Sequence, residues 1–280
     1  MKGNSGKIVE FLIKIIAILS ILPALLILGY IIFKGIPSLS WAFITQAPTN
    51  GMRAGGIYPA IIGTILLTIG TITVSVPFGV LTGIYLVEYA KDNWFTRLLN
   101  LAIVNLAGIP SIVYGLFGLG IFVIGMRMGI SILAGSMTLG IMALPVIITA
   151  TRESLLAIDP TLRQASFGLG ATKWETISKI SLPTALPGII TGVILSISRA
   201  AGETAPILFT AAAFYIPYLP QSFFDRTMAL PYHLYIISSQ VPNMPRSNMD
   251  GTAFMLVIIT VGFNLIGAYI RNSFRNRVKK

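Results

Sequence analysis

Six long apolar runs, separated by short polar segments, dominate the pattern of this chain. None of them contains Asp, Glu, Lys or Arg, and they cover residues 15–33, 57–87, 98–126, 128–151, 180–198 and 251–270. A helix needs about 20 apolar residues to cross the ~30 Å hydrocarbon core of a bilayer. Backbone groups in lipid must bond within their own segment, so the runs predict an all-α polytopic membrane protein with six transmembrane helices. We expect the fifth span to continue past Arg199 towards Phe209.

Proline interrupts several of the predicted spans. The residues are Pro77, Pro110, Pro145, Pro187 and Pro206. Each removes a backbone donor and tends to kink its helix. Membrane proteins tolerate such breaks where neighbouring helices or a water-lined cavity bind the freed carbonyls. Glycines accompany Pro110 in residues 108–118, which is typical of close helix packing as well as of a substrate path.

Composition excludes several classes of protein. With 55% hydrophobic residues, 10% charged residues and a mean hydropathy of +0.83, the chain is unlike a soluble domain. It has no Cys, which excludes disulfides and thiol chemistry, and its single histidine, His233, leaves no His-based metal cluster. The apolar run after Lys14 is long, lacks a small-residue cleavage site and precedes five more runs, so we expect an uncleaved first span and not a signal peptide.

The positive charge of the chain is distributed asymmetrically. The net charge is +11, and an N-terminus inside the cell puts fourteen of the twenty basic residues on the cytoplasmic side, five outside and Arg199 within a span. This positive-inside pattern predicts that both termini are cytoplasmic. The basic tail 271–280 then suits anionic lipid headgroups, and its scarcity of aromatic residues argues against nucleic acid.

The runs also suggest an organisation for the chain. We expect residues 1–56 to form the first span with an external segment, residues 57–275 to form a five-helix transport domain, and 271–280 to form a cytoplasmic tail. The long external segment 215–250 is rich in proline and aromatic residues. We expect Asp225, Arg226 and His233 in it to decorate the surface.

A polar segment at 151–183 separates the fourth and fifth runs. Residues 164–170 read Gln-Ala-Ser-Phe-Gly-Leu-Gly, and Ile-Ser-Leu-Pro follows at 180–183 after nine residues. We predict a short helix over 161–169, a left-handed turn at Gly170 and a second helix over 172–181. Pro183 should stop that helix by holding Leu182 extended. A helix-turn-helix projection beside a membrane is a surface that another protein can bind.

This spacing resembles the cytoplasmic loop of ABC importer permeases, which reads Glu-Ala-Ala, three residues, Gly, nine residues, Ile-x-Leu-Pro. Here Gln164 replaces the Glu and Ser166 replaces the second Ala, so the acceptor oxygen is kept while the charge is lost. The resemblance implies that an ATPase subunit docks on this coupling loop. The residues it assigns to that contact are Arg163, Gln164, Ala165, Ser166, Gly170 and Ala171.

Two charged residues lie within the fifth span. An unpaired charge at the bilayer centre costs about 2.5–3.5 kcal/mol on insertion scales. Arg199 and Glu203 are four residues apart and can pair on one helix face, so one interpretation is a self-neutralising ion pair. The other is a substrate path for an oxyanion, which a guanidinium binds through two parallel hydrogen bonds. The O–H group of hydrogen phosphate could donate a hydrogen bond to Glu203, whereas fully deprotonated sulfate has no such donor.

Three motifs make the resemblance specific. Residues 199–206 read Arg-Ala-Ala-Gly-Glu-Thr-Ala-Pro, 108–115 read Gly-Ile-Pro-Ser-Ile-Val-Tyr-Gly, and 83–90 read Gly-Ile-Tyr-Leu-Val-Glu-Tyr-Ala. They are similar to the A-type membrane subunits of phosphate-specific ABC importers, over about residues 57–270. The resemblance implies the type I ABC importer permease fold and a role for Arg199 and Glu203 in phosphate passage. On the same motifs we expect the substrate path to include Thr204, Ser111 and Tyr114 as well.

The resemblance also implies partners. These are a homologous C-type permease, a dimer of ATP-binding subunits and an external phosphate-binding protein. The chain has no phosphate-cradling loop, so we expect no cofactor in it and MgATP on the partner ATPases. The expected function is inward transport of inorganic phosphate by alternating access across a prokaryotic cytoplasmic membrane. Alternatives are another oxyanion, such as molybdate or sulfate, or a membrane enzyme using Glu203 or Asp225, which would lack a second convergent acid, a nucleophile with its base, or a metal cluster.

Overall fold

The computed structural model describes residues 4–278, most of which belong to helices. The described part of the chain contains twelve α-helices: α1 (Asn4–Gly35), α2 (Trp41–Thr45), α3 (Tyr58–Ile84), α4 (Trp94–Gly108), α5 (Ser111–Gly118), α6 (Ile132–Leu156), α7 (Pro160–Gly168), α8 (Lys173–Thr176), α9 (Leu182–Gly202), α10 (Ala205–Thr210), α11 (Leu230–Ser239) and α12 (Arg246–Val278). π-Helical segments extend α3 over Tyr85–Tyr89, extend α5 over Leu119–Gly125 and join α8 to α9 over Ile177–Ser181. A small antiparallel hairpin, β1 (Pro48–Thr49) and β2 (Ala54–Gly55), precedes α3.

The number of membrane-crossing helices agrees with the sequence. Five helices in the described part of the chain are long and apolar enough to cross a bilayer, and there are six crossings when α4 and α5 together count as one. The third predicted span, over 98–126, is sharply bent at Pro110, where α4 and α5 meet at an angle of 109°. Ile109 is extended with ψ of 131° just before Pro110, which has no backbone N–H to continue the helix.

Proline does not break every helix that contains it. Pro77, Pro145 and Pro187 lie inside α3, α6 and α9, which continue through them. The chain is interrupted only near Pro110 and just before Pro206, within the spans that the structure describes. Sequence alone indicated five possible kinks and could not distinguish these two positions.

The centre of the bundle is the pair α3 and α6, with α9 packed against α6. Small residues allow this close approach: Gly70 lies against Ser136, and Gly192 lies against Ala150. The buried hydroxyls of α3 bond the carbonyl four residues earlier in the same helix, so they need no partner in the interface. Glycine thus allows close packing of α3 on α6 and of α9 on α6 at these two positions.

Helix α1 lies at the periphery and contacts α12, where Gly35 faces Phe254. Its described side chains are largely exposed, as expected for a helix surrounded by lipid. The predicted domain boundary at residue 56 stays a prediction. Phe43 and Met52 of the external segment are buried in the same apolar cluster as residues of α3 and α11.

The external segment after α10 caps the start of α6. The backbone N–H groups of Ser131, Ile132 and Leu133 donate to carbonyls in 210–225 at 2.9 Å, which satisfies donors that a helix N-terminus otherwise leaves free. The carboxylate of Asp225 accepts from the backbone N–H groups of Gln221 and Ser222 at 2.8 and 2.9 Å. Asp225 therefore orders its own turn.

The prediction that His233 decorates the surface is wrong. This residue lies on α11 and is buried, and burial lowers the pKa of its imidazole to about 4. The cause is tertiary, because α11 packs on α12, α3 and α9. A His in a polar, proline-rich segment carries no local signal of such packing. Arg226, by contrast, is exposed as expected.

Candidate transport site and coupling surface

The fifth span ends at the charged pair and does not continue past it. Helix α9 ends at Gly202, Glu203 is extended with ψ of 129°, and the short helix α10 starts at Ala205. Pro206 lies in the first turn of α10, where its missing N–H is tolerated. The expectation of one span reaching Phe209 is therefore wrong. The break places both charged residues beside a gap in the helical backbone.

Arg199 and Glu203 form an ion pair, as their spacing predicts. The Nε of Arg199 donates to Oε1 of Glu203 at 3.1 Å, and the side chains are 55% and 17% exposed. Neither terminal guanidinium nitrogen of Arg199 bonds any residue in the described part of the chain. Glu203 thus holds one edge of the guanidinium and leaves the other edge open to an anion.

A narrow cleft lies beside Glu203, between the end of α9 and the start of α11. The side chain of Thr64 on α3 lines it, and its hydroxyl accepts the backbone N–H of Leu230 at 2.8 Å. The other lining residues are Leu67, Leu139, Ala200, Ala201, Ile207, Ala229 and Pro231. Helix α3 therefore reaches the cleft beside Glu203 through Thr64 and Leu67.

Packing of α5 on α10 brings two of the sequence motifs together. Gly115 makes this contact possible, because a Cβ there would lie 2.8 Å from the carbonyl oxygen of Ala205 and 3.2 Å from Cα of Pro206. Residues 108–115 and 199–206 are thus neighbours in space, although some 90 positions separate them in the chain.

The three other predicted path residues have different environments. Tyr114 is buried, and its hydroxyl donates to the carbonyl of Leu106 at 2.7 Å, across the bend between α4 and α5. Tyr114 therefore stabilises the bend and has no free hydroxyl proton. Ser111 and Thr204 are half-buried at the starts of α5 and α10. Their role in transport stays a prediction.

Sequence reasoning missed Asn264. Its Oδ1 on α12 accepts from the hydroxyl of Ser198, the residue before Arg199, at 2.6 Å. This bond connects α12 to α9 directly beside the charged pair. The signal was present, since Asn264 is the only amide side chain in the apolar run 251–270.

The coupling loop has the predicted helix-turn-helix form. Asp159 caps α7 by accepting the backbone N–H of Thr161 at 2.9 Å, and this bond lowers the pKa of the Asp159 carboxyl. Gly170 has φ of +82°, and the N–H groups of Gly170 and Ala171 bond the carbonyls of Phe167 and Ser166. These are the two bonds of a Schellman motif, which closes α7 and turns the chain towards α8.

The predicted stop at Pro183 is wrong. Leu182 is helical, with φ of −65° and ψ of −48°, and α9 follows the π-helical segment directly. Pro183 lies in the first turn of α9. The π-helical segment directly before it is the kind of local adjustment that allows a membrane helix to continue through a proline. The second helix of the coupling loop is therefore continuous with the fifth span.

The six predicted coupling residues divide into two groups. Gln164, Ala165 and Gly170 are exposed, and Ala171 is half-buried. The other two face inward. Ser166 is buried with its hydroxyl 2.8 Å from that of Thr176, and Arg163 is held by Glu88. The structure does not favour direct contact of the Ser166 and Arg163 side chains with an ATPase, because Ser166 bonds α8 and Arg163 bonds the end of α3.

Exposed apolar side chains surround the turn instead. They form what we call the coupling patch: Leu162, Phe167, Leu169 and Trp174. Leu169 is 90% exposed at the tip of the turn. Exposed apolar side chains grouped around a projecting turn are candidates for a protein contact site. The sequence motif did not single out these residues, because exposure depends on which face α7 buries.

Comparison with known proteins agrees with these features. Residues 75–280 match the family described as binding-protein-dependent transport system inner membrane component. A probable ABC transporter permease protein of Bacillus subtilis, YqgI, is 31% identical over 90% of each chain. A phosphate transport system permease protein PstA of Mycobacterium leprae is 33% identical over 91% of this chain and 84% of its own. A probable PstA of Methanocaldococcus jannaschii is 30% identical over 98% and 95%.

Solved structures of importers share the fold. A bacterial ABC transporter involved in the import of the acidic polysaccharide alginate aligns over 100% of this chain and 98% of its own, with a TM-score of 0.64 and 15% identity. The MetNI methionine ABC transporter, in an inward-facing conformation, aligns over 78% and 94%, with a TM-score of 0.60 and 18% identity. At such identities the likeness establishes the type I importer permease fold, and chemistry must be argued from the site.

Proposed function

The chain belongs to the family of binding-protein-dependent transport system inner membrane components, and on this premise we propose that it is the A-type permease subunit of an ATP-driven phosphate importer. Relatives named as phosphate permeases, from bacteria and from an archaeon, align with nearly its whole length. The predicted motifs at 83–90, 108–115 and 199–206 support the same assignment.

The geometry of Arg199 carries the substrate proposal. Its guanidinium stands at a break in the fifth span with two nitrogens unbonded to described residues, while Glu203 holds the third. A tetrahedral oxyanion can accept two charge-assisted hydrogen bonds from the open edge. The O–H group of hydrogen phosphate can also donate a hydrogen bond to Glu203, which gives the carboxylate a partner. A fully deprotonated sulfate would leave the carboxylate without a donor.

Energy for transport comes from a partner. We assign ATP binding to a dimer of ATPase subunits that docks on the coupling patch and on Gln164. Closure of that dimer moves the coupling loop, and with it the fifth span, because α8 continues into α9. The break at Glu203 lets α9 and α10 move relative to each other during alternating access.

The complete importer needs further subunits. A C-type permease supplies the other half of the pathway, and a phosphate-binding protein delivers substrate to the external segment 215–229. A solved alginate importer in complex with a periplasmic protein supports an assembly of this kind. The protein lies in the cytoplasmic membrane of a prokaryote with both termini inside, as the distribution of Lys and Arg favours.

Substitution Arg199→Gln tests the substrate path. We expect phosphate uptake by the reconstituted complex to fall by roughly ten- to hundredfold, since a hydrogen bond to a charged group contributes about 1.5–3 kcal/mol. The complex should still assemble. The matched control is Arg97→Gln. This substitution breaks the exposed ion pair of Arg97 with Asp92, in which the two atoms are 2.9 Å apart, and it leaves the fifth span unchanged.

Uptake at the wild-type rate by an assembled Arg199→Gln complex would contradict the proposal and leave the pair as a structural ion pair. Parallel assays with sulfate and molybdate identify the substrate class. If the wild-type complex imports sulfate or molybdate and not phosphate, the protein is a permease of the same architecture for another oxyanion, and the phosphate proposal is wrong.

A further inference from the structure

Arg163 lies on the inner face of α7 and connects three elements. Its Nη2 donates to Oε1 of Glu88 at 3.0 Å and to the carbonyl oxygen of Leu155 at 2.8 Å. Glu88 belongs to the π-helical end of α3, and Leu155 belongs to the last turn of α6. One side chain of the coupling loop thus holds the cytoplasmic ends of both central helices.

This ion pair differs from the other pairs on the cytoplasmic side. The side chains of Arg163 and Glu88 are 20% and 11% exposed, whereas both members of the Arg97–Asp92 pair are largely exposed. Exposed pairs contribute little, but removing one partner of a largely buried pair leaves the other charge without compensation. Loss of the Arg163–Glu88 contact should therefore have a larger energetic effect than loss of the Arg97–Asp92 pair.

A second contact joins the same two regions. The Nζ of Lys173 on α8 lies 4.7 Å from the centre of the Tyr89 ring. Tyr89 follows Glu88 at the end of α3, so both helices of the coupling loop bind adjacent residues of one helix end. Helices α6 and α9 are joined to the coupling loop directly by the chain, whereas α3 is not. Besides its packing on α6 and α9, α3 can receive a movement of the loop directly through these two side-chain contacts.

Helix α3 leads from this contact to the cleft beside Glu203. At its other end Thr64 and Leu67 line the cleft beside Glu203. The 24 positions from Thr64 to Glu88 correspond to roughly 36 Å of helix. The helix is continuous through Pro77 into its π-helical end, so one uninterrupted element connects Glu88 with the cleft.

We propose that the Arg163–Glu88 pair is the joint through which the coupling loop moves α3. The pair keeps the end of α3 attached to the loop while the ATPase subunits close and open. This proposal rests on the proposed function, since it presumes an ATPase partner. Arg163 acts here as a positioning residue and touches neither ATPase nor substrate.

The test uses the full importer complex with Glu88→Gln and Arg163→Gln, singly and together. We expect each single variant to bind the ATPase subunits in normal amounts and to lower the phosphate imported per ATP hydrolysed by about tenfold, as expected when one partner of a buried pair is removed. The double variant should be no worse than the single ones, because residues that act through one contact are not additive. Arg163→Lys, which keeps the charge, should restore part of the ratio.

The matched control is Asp92→Asn, which also turns a carboxylate into an amide but breaks the exposed pair with Arg97. It should leave the ratio unchanged. Additive losses, an unchanged ratio in Glu88→Gln, or loss of bound ATPase would each overturn the proposed joint. Failure of the wild-type complex to import phosphate would instead overturn the proposed function.

A second measurement does not depend on the substrate. The chain has no Cys, so labels on Lys91→Cys and Lys179→Cys would be the only ones it carries. We expect the distance between them to stay constant on ATP binding in the otherwise unchanged chain and to change once Glu88→Gln is added. A distance that responds to ATP identically with and without Glu88→Gln would overturn the joint, whatever the substrate is.

Discussion

At residue 199 a guanidinium stands where a membrane helix ends. Glu203 binds only its Nε, and this single bond orients the planar group while the terminal nitrogens remain open within the described structure. An ion pair and an anion site are thus not exclusive interpretations of these two residues. The carboxylate that compensates the charge of Arg199 in the membrane also determines which edge of it can meet a substrate.

Substitution Glu203→Gln separates these roles. If the carboxylate accepts the proton of hydrogen phosphate, uptake should fall roughly three- to tenfold, the worth of about one hydrogen bond. Sulfate should then compete better, because the amide NH₂ can donate to a deprotonated oxyanion. The measurement is sulfate competition during phosphate uptake in proteoliposomes.

The matched control is Glu153→Gln, an exposed acid near the C-terminal end of α6. If Glu203 only neutralises Arg199, its substitution should raise the attraction for both anions equally. An unchanged phosphate-to-sulfate ratio would leave Glu203 as a counter-ion.

At the scale of elements, the coupling loop is organised by its caps. Asp159 begins α7, the Schellman motif at Gly170 ends it, and a capping box of Thr172 and Glu175 begins α8. These local bonds hold two short helices that are too small to be stable in isolation. The turn between them presents Leu169, so its shape determines the shape of the coupling patch.

Substitution Gly170→Val tests that turn. A non-glycine residue in the left-handed region costs about 1–2 kcal/mol, and a β-branched one is worse placed there. We expect loss of bound ATPase or uncoupling of ATP hydrolysis from uptake, measured by co-purification and by phosphate imported per ATP. Gly168→Val is the control, because Gly168 has no positive φ and faces open space. Normal coupling in Gly170→Val would show that the turn tolerates another conformation.

At the scale of the whole molecule, the distribution of Lys and Arg predicts that the coupling patch lies inside the cell. The coupling patch and the external segment lie in different polar regions of the chain, one after α6 and one after α10. The absence of Cys makes the question accessible, since an introduced thiol has no background in this chain.

We expect Tyr218→Cys to react with a membrane-impermeant maleimide in intact cells and Leu169→Cys to react only after the cells are opened. Both positions are well exposed in the structure, so accessibility of the side chain is matched. Reaction of Leu169→Cys in intact cells would reverse the orientation and would place the coupling patch outside. The positive-inside argument would then be wrong for this chain.

Local features of the chain were predictable. The six apolar runs predicted the spans, because the length and hydropathy of a membrane helix are local properties of its own segment. Gly170 reported the turn, since positive φ is a property of one residue. The ion pair of Arg199 and Glu203 followed from a spacing of four residues on one helix.

Tertiary structure decided the rest. The bend at Pro110 and the break after Gly202 are two of several sites with similar local sequence, and packing of α5 on α10 distinguishes them. Burial of His233, the inward direction of Arg163 and its bond to Glu88 depend on residues distant in the chain. A sequence indicates the properties that a segment has by itself, such as its length, its hydropathy and its turns. Which face it buries, and which charge it meets, is determined only when another segment packs against it.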